Sequence, residues 1–260
     1  MAVKIDSMAI VSKKASLGHD VTIGPYAVVG PDVTLGDGVK VAPHAVISGQ
    51  TTLGRNCEVS SFATLGSNPQ HLSYLREESQ LFCGENNIFR EYCNISTGTP
   101  LAENKTVVGS HNFFMCHTHI GHDCVVGDHS SFANHVTLAG HVSVGDHVFF
   151  GGHSAFHQFT RIGSYVMIGG GSMVVGDVLP FLLAEGDRAR ARGVNVVGLS
   201  RNNFSKDVIA SIKKSYKILF RSNLTLEDAI KRVKQEVTSS DPLDLFLGFV
   251  EKKSKRGLMR

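Results

Sequence analysis

Aliphatic residues recur at every sixth position of the first quarter of the chain: Ile5, Val11, Leu17, Ile23, Val29, Leu35, Val41, Ile47, Leu53, Val59 and Leu65. The stride reappears at Cys83, Phe89 and Ile95, and runs again from Val108 through Phe114, Ile120 and Val126 to Val174. The residue after an anchor is often Gly, as at Gly18, Gly36, Gly121 and Gly145. The residue four after it is small or β-branched, as at Val21, Ala27 and Val136. A helical period of 3.6 cannot hold a strict six-residue stride, whereas an even period keeps one strand face inward. The pattern predicts a mainly β protein, a parallel β-helix of short strands. Gly after each anchor is expected to permit sharp bends. Three strides close a coil of 18 residues. About eight to nine coils, roughly 4.8 Å apart, give a prism about 40 Å long.

Two stretches break the stride, residues 67–82 and 96–107, and are expected to be loops on the working side of the solenoid. The repeat fades after Val174, and Gly176-Asp177-Val178-Leu179-Pro180 closes it. Residues 181–204 read as an irregular or extended link. Ser205 can cap a helix carrying Val208, Ile212, Tyr216 and Leu219 on one side. Thr225 with Asp228 resembles a capping box, and Asp241-Pro242 places a cap and an N1 proline before a third helix. The predicted organisation is a β-helix over residues 1–190 and an α-helical domain over 191–260 that covers one open end.

Composition narrows the class. A hydrophobic share of 42% supplies a core, and Gly without a three-residue period excludes collagen. Net charge of +3 is too mild for a nucleic-acid protein. Five Cys with no C-x-x-C pair indicate neither a disulfide framework nor a thiol zinc site, which fits a reduced, cytoplasmic chain. No segment reaches the roughly 20 apolar residues of a membrane span, and the N-terminus lacks a signal-peptide run.

Many of the 13 His follow the same stride. His111, His117, His129, His135, His141, His147 and His153 each stand three residues after an anchor, and Asp123 shares that register. Eighteen-residue coils stack them into three columns: 111, 129 and 147; 117, 135 and 153; and Asp123, His141 and Phe159. The first two read as exterior corners that tolerate polar residues. The third has chemical neighbours, because His122, Gly140 and Gln158 stack one residue earlier and His157 one earlier again. His119 lies on the preceding face. A His beside an Asp and a glycine N–H can supply a general base, its orienting group and an oxyanion donor. A hydrogen-bonded surface ladder is the plainer alternative. The spacing of His117 and His122 also fits a zinc pair of the kind used by hexapeptide carbonic anhydrases, but no third His lies between 71 and 111. A non-catalytic scaffold is the remaining reading.

The segments His119-Ile-Gly-His122-Asp123-Cys124, Leu138-Ala-Gly140-His141 and His157-Gln158-Phe159 resemble the acyl-ACP:UDP-N-acetylglucosamine O-acyltransferases of lipid A biosynthesis, a hexapeptide-repeat family. The likeness extends over almost the whole chain, through Ile88-Phe-Arg90-Glu91, Gly193-Val-Asn195, Gly198-Leu-Ser-Arg201 and the closing Arg256-Gly-Leu-Met-Arg260. It implies a left-handed winding, against the usual handedness of parallel crossovers. It also implies a homotrimer with sites between prisms, and no metal or cofactor beyond the phosphopantetheine of acyl carrier protein. His122 would be the general base and Gly140 N–H the oxyanion donor. Positions matching His119, His141, His157, Gln158, Asn195 and Arg201 would contact substrate. Gly170 would floor a groove for a long chain of about hydroxymyristoyl length.

Several positions depart from the family pattern. His71 replaces an acidic sugar contact, Ser73 a Lys, Ser96 a His, Val197 a Glu, Asn202 an Arg and Arg188 a His near the acyl pocket. The departures leave the acceptor open between a 3-hydroxyl sugar and a 3-amino analogue. Arg188, Arg190 and Arg192 with Lys206, Lys213, Lys214 and Lys217 would offer a basic face to an acidic carrier protein.

Overall fold

A computed structural model describes residues 2–75 and 77–259; Met1, Arg76 and Arg260, the last of which ends the closing segment quoted above, lie outside them. The chain winds into a left-handed parallel β-helix with three faces. The first face holds strands such as Phe113–Phe114, Ser131–Phe132 and Phe149–Phe150. The second holds His119–Ile120, Thr137–Leu138 and Ala155–Phe156, and the third Val125–Val126, Ser143–Val144 and Arg161–Ile162. Parallel partners are 18 residues apart, as in Lys4 with Thr22 and Phe113 with Ser131. From Ile23 on, the anchors point inward and are almost wholly buried, and Phe89, Phe114, Phe132 and Phe150 stack along the axis at 4.3 to 5.1 Å between ring centroids.

The corners show where the left-handed backbone falls. Residues three after an anchor carry the positive φ, among them Tyr26 (59°), His117 (62°), Asp123 (61°) and His141 (62°). His, Asp and Asn tolerate that region better than branched residues. The glycines after the anchors have another role than the bends expected of them. A Cβ on Gly121 would lie 2.9 Å from the backbone of Ala139 and Gly140 in the next coil. They are there because successive coils approach too closely for a side chain. The expected ladders form: His111, His129 and His147 stack on one corner, and His117, His135 and His153 on another, each at 4.5 to 4.8 Å. The second ladder continues down the prism through Tyr92, Phe62, His44 and Tyr26.

Both interruptions leave the prism at the corner after the second face. The strand step there lengthens from 18 to 30 residues between Glu58 and Ile88, and to 25 between Ile88 and Phe113, before 18 returns. The loops run between the strands Thr64–Ser67 and Gln80–Cys83, and between Asn94–Ser96 and Lys105–Val108.

Residues 181–204 are more regular than the link expected of them. Leu182–Glu185 and Arg190–Val194 pair as an antiparallel hairpin that extends the first face. A short helix α1 (Val196–Arg201) follows, with Asn195 accepting from Gly198 N. The helices α2 (Lys206–Arg221), α3 (Leu226–Glu236) and α4 (Asp241–Glu251) complete the domain. Ser205 and Thr225 cap α2 and α3 through their hydroxyls, as their sequence implies. The Asp228 carboxylate takes the Thr225 hydroxyl proton, in place of the reciprocal half of a capping box. The N-cap of α4 is Ser240, one residue before the expected Asp241, which is already helical beside Pro242. After α4 the chain returns to the prism, where Asp177 N donates to Gly257 O and Met259 N to Asp177 O.

Candidate active site

The corner after the second face brings His122, Asp123, Gly140, His141, Gln158 and Phe159 together. His141 N donates to His122 O at 2.9 Å and Phe159 N to Gly140 O at 3.3 Å, so the coils stack in register. His122 and Asp123 are buried. The His122 Nδ1 lies 2.7 Å from Asp123 Oδ2. With a carboxylate at Nδ1, that nitrogen carries the proton and Nε2 is left as the base.

Asp123 is held from a direction the sequence did not show. Thr99, in the second loop, donates its N–H to Oδ1 at 2.8 Å and its hydroxyl to Oδ2 at 2.6 Å. Thr106 Oγ1 takes the Asp123 N–H at 2.9 Å. Burial opposes ionisation of Asp123, but the hydrogen bonds from His122 and Thr99 outweigh it and hold the carboxyl below its ordinary value. His141 Nε2 stands 3.6 Å from the same Oδ2, and its ring meets His122 edge-on at 5.0 Å. Burial lowers the His141 pKa.

Gly140 faces the imidazole. A Cβ there would sit 2.5 Å from His122 Cε1 and Nε2. At the corner after the third face, the N–H in this register is taken by a side chain of the next coil, as Ser110 N is by Asp128 and Asp128 N by Asp146. Gly140 N–H makes no such bond among the described residues, since Gln158 stands in that place.

His71, from the first loop, packs edge-on to His122 at 5.3 Å, and the exposed Ser73 donates its N–H to His71 Nδ1 at 3.3 Å. His119 is half-buried on the second face with Nδ1 2.8 Å from Asn94 Oδ1, and burial lowers its pKa. Asn94 in turn donates to Ser67 Oγ. His157 opens the Gln158 corner and is exposed. A cleft of ≈ 510 Å³ runs over this corner, lined by His71, His122, His141 and Gln158 together with Arg161, Lys253 and Lys255. Thr99, Asn94 and the tail lysines carried no signal in the sequence, because loops and tail reach the corner only through the winding.

Other predicted positions lie elsewhere in the single chain. Gly170 is exposed at the corner after the first face, one coil above Gly152. Asn195 caps α1 and donates to Tyr165 O, Arg201 is exposed at the end of α1, and Arg188 is exposed in the hairpin turn. His117 stacks on Tyr92 and His135 at the corner after the first face, so it and His122 occupy different corners of the prism. His122, Asp123 and His141 each offer an atom that could bind a metal, all within 4.8 Å. The Asp123 oxygens, however, are already engaged by Thr99 and His122.

The six-residue strides of the β-helix thus set a buried His–Asp pair against a glycine corner. The bacterial transferase hexapeptide model matches residues 14–49 and 105–140, and the model for domain 2 of UDP N-acetylglucosamine O-acyltransferase matches 177–259. An acyl-[acyl-carrier-protein]–UDP-N-acetylglucosamine O-acyltransferase of Syntrophobacter fumaroxidans is 46% identical over 99% of this chain and 100% of its own. The LpxA structure from Acinetobacter baumannii superposes with a TM-score of 0.95 at 45% identity, covering 98% of this chain and 99% of its own. That from Moraxella catarrhalis superposes at 0.96 with 38% identity and the same coverage. The chain belongs to the acyl-[acyl-carrier-protein]–UDP-N-acetylglucosamine O-acyltransferase family.

Proposed function

We propose that the protein transfers a long 3-hydroxyacyl group from acyl carrier protein to the 3-hydroxyl of UDP-N-acetylglucosamine, the first step of lipid A biosynthesis, as a cytoplasmic homotrimer. The observation that carries this reading is the His122–Asp123 pair set against Gly140. His122 Nε2 removes the proton of the acceptor hydroxyl, and the oxygen attacks the thioester carbonyl. The tetrahedral oxyanion forms beside the Gly140 N–H, which has no competing acceptor in the next coil. Collapse breaks the carbon–sulfur bond, and the departing thiolate takes the proton back from His122. Asp123 remains ionised and stabilises the imidazolium between the two transfers.

No covalent intermediate is needed. Cys124, next in sequence to Asp123, is buried, with its thiol pushed up to about 12 by desolvation. The step also needs no metal, since the Asp123 oxygens already serve the imidazole and Thr99. Loss of activity on exhaustive chelation, restored by stoichiometric zinc, would contradict this.

The placement of Gly170 on another corner and of Asn195 and Arg201 at α1 supports the homotrimer, in which residues of a neighbour complete the cleft. No described helix is long and apolar enough to cross a membrane. The test is an assay of long-chain 3-hydroxyacyl-ACP against a panel of UDP-sugars that includes the 3-amino analogue. Acylation of UDP-N-acetylglucosamine is expected, and failure to acylate any member refutes the reading. Preference for the amine would transfer the role of His71, Ser73, Val197 and Asn202 to amine selection.

A further inference from the structure

Arg161, Lys253 and Lys255 line the cleft, and of these only Arg161 is paired with a carboxylate among the described residues. Arg161 stands on the third face beside the His141 corner, and its Nε and main-chain N–H donate to the two oxygens of buried Asp177 at 2.7 and 2.9 Å. Its guanidinium lies 4.6 Å from the Phe249 ring centroid. Arg161 Nη2 is buried and has no hydrogen-bond acceptor among the described residues.

The tail brings two more cations to the same cleft. Arg256 Nε donates to Gln158 O at 2.7 Å and fixes the tail on the corner. Lys255 Nζ then lies 4.3 Å from the centre of the Phe159 ring, which stacks on His141 at 4.5 Å. His141 in turn meets His122, so an unbroken line of contacts joins Lys255 to the base. Lys253 lines the cleft as well, and neither lysine forms an ion pair among the described residues. Among the described residues Asp123 is the only carboxylate lining the cleft, and its oxygens are occupied.

We propose that Arg161, Lys253 and Lys255 form a phosphate-binding wall of the His122 cleft. The inference rests on the activity proposed above and adds where substrate charge is held. An oxyanion on this wall would bridge the Lys253 and Lys255 ammonium groups, which have no acceptor among the described residues, beside the guanidinium of Arg161. Both substrates carry phosphate, the diphosphate of the nucleotide sugar and the phosphodiester of the pantetheine arm. A bound oxyanion here would anchor one end of its substrate while His122 meets the reacting end.

The Lys253→Ala/Lys255→Ala double variant is the main test, because it leaves the Arg161–Asp177 pair in place. Its KM for one substrate should rise about tenfold, with kcat within about twofold of wild type. A rise confined to UDP-N-acetylglucosamine assigns the wall to the diphosphate. A rise for acyl-phosphopantetheine, with none for its dephosphorylated form, assigns it to the pantetheine phosphate. Unchanged KM for both substrates, or an equal rise with and without the donor phosphate, overturns the wall. Calorimetry with inorganic pyrophosphate reads the wall independently of turnover. Wild-type enzyme should bind and the double variant should lose at least about tenfold in affinity. Pyrophosphate binding that survives the double substitution refutes the site even if the transferase activity holds. Binding lost as expected in a protein that acylates nothing sinks the activity and leaves the wall standing.

Discussion

The imidazole of His122 and the carboxylate of Asp123 are neighbours in sequence and meet through their side chains, Nδ1 to Oδ2 at 2.7 Å. Adjacent residues of a strand point to opposite sides and could not do this. The contact exists because Asp123 sits at a left-handed corner, φ 61°, which turns its side chain back toward the preceding residue. His122→Ala should therefore lower kcat by about 10²- to 10⁴-fold, the range typical of a positioned general base. The circular dichroism spectrum and thermal midpoint should be little changed. Activity near the wild-type level would remove His122 from the mechanism.

Thr99 gives a graded test of the same pair. Thr99→Val removes the hydroxyl proton from Oδ2 and keeps the main-chain donor to Oδ1. One hydrogen bond to a charged group is worth about 1.5–3 kcal/mol, so a loss of roughly ten- to a hundredfold in kcat is expected. The acid limb of the pH–rate profile should move with it. A moved limb separates an effect on the His–Asp pair from simple loosening of the loop.

Gly140 is constrained by the ring in front of it. Gly140→Ala would place a methyl 2.5 Å from His122 Cε1 and Nε2. The ring must swing aside, and activity should fall nearly as far as in His122→Ala while the coil remains folded. The imidazole resonances of His122 in a side-chain NMR spectrum should shift. Normal kinetics would mean that the corner opens more easily than its packing indicates.

Acid should destabilise the protein in two stages. Burial holds His119 and His141 below the ordinary value of 6.5, so as pH falls through 6.5 the unfolded chain takes up protons first. Stability is lost across the window from 6.5 down to their folded-state values. Asp123 is held below 3.8 in the folded state, so its contribution is present above 3.8 and is lost as pH falls further through its folded value. Urea midpoints measured from pH 8 to pH 3 check this, and His141→Gln should flatten the first stage.

The cysteines should be silent in the native state. Cys57, Cys83, Cys93 and Cys124 are buried, and desolvation raises all four thiols, Cys93 and Cys124 to about 12. Cys116 is half-buried, and its thiol donates to the Glu91 carboxylate at 3.1 Å, which raises its pKa as well. Alkylation followed by mass spectrometry should label Cys116 slowly and the others only in denaturant. Rapid labelling of Cys124 would reopen a thiol route.

Much of this architecture was legible because a β-helix maps sequence spacing directly onto space. Residues 18 apart are neighbours, so His122 could be set beside Gly140, and Asp123 beside His141, by counting alone. Counting fails where the stride stops. Thr99, His71 and the tail residues Lys253, Lys255 and Arg256 reach the corner through loops and a returning chain end, which no period describes. The glycines misled for a related reason. Their spacing was visible, but only the stacked coils show that they make room for a neighbouring backbone and that the bend falls on the His, Asp and aromatic residues two positions later. The hairpin at 182–194 was hidden because it borrows its edge from a strand already in place, that of Met167–Ile168.

Both loop insertions leave the prism at the corner that carries His122, and the 18-residue register resumes unbroken above them. The scaffold is thus indifferent to the length of chain spliced in there. Loop exchange between relatives should therefore change what covers His122 while the ladders stay in register. It makes this edge of the prism a natural cassette for redesigning which sugar the enzyme accepts.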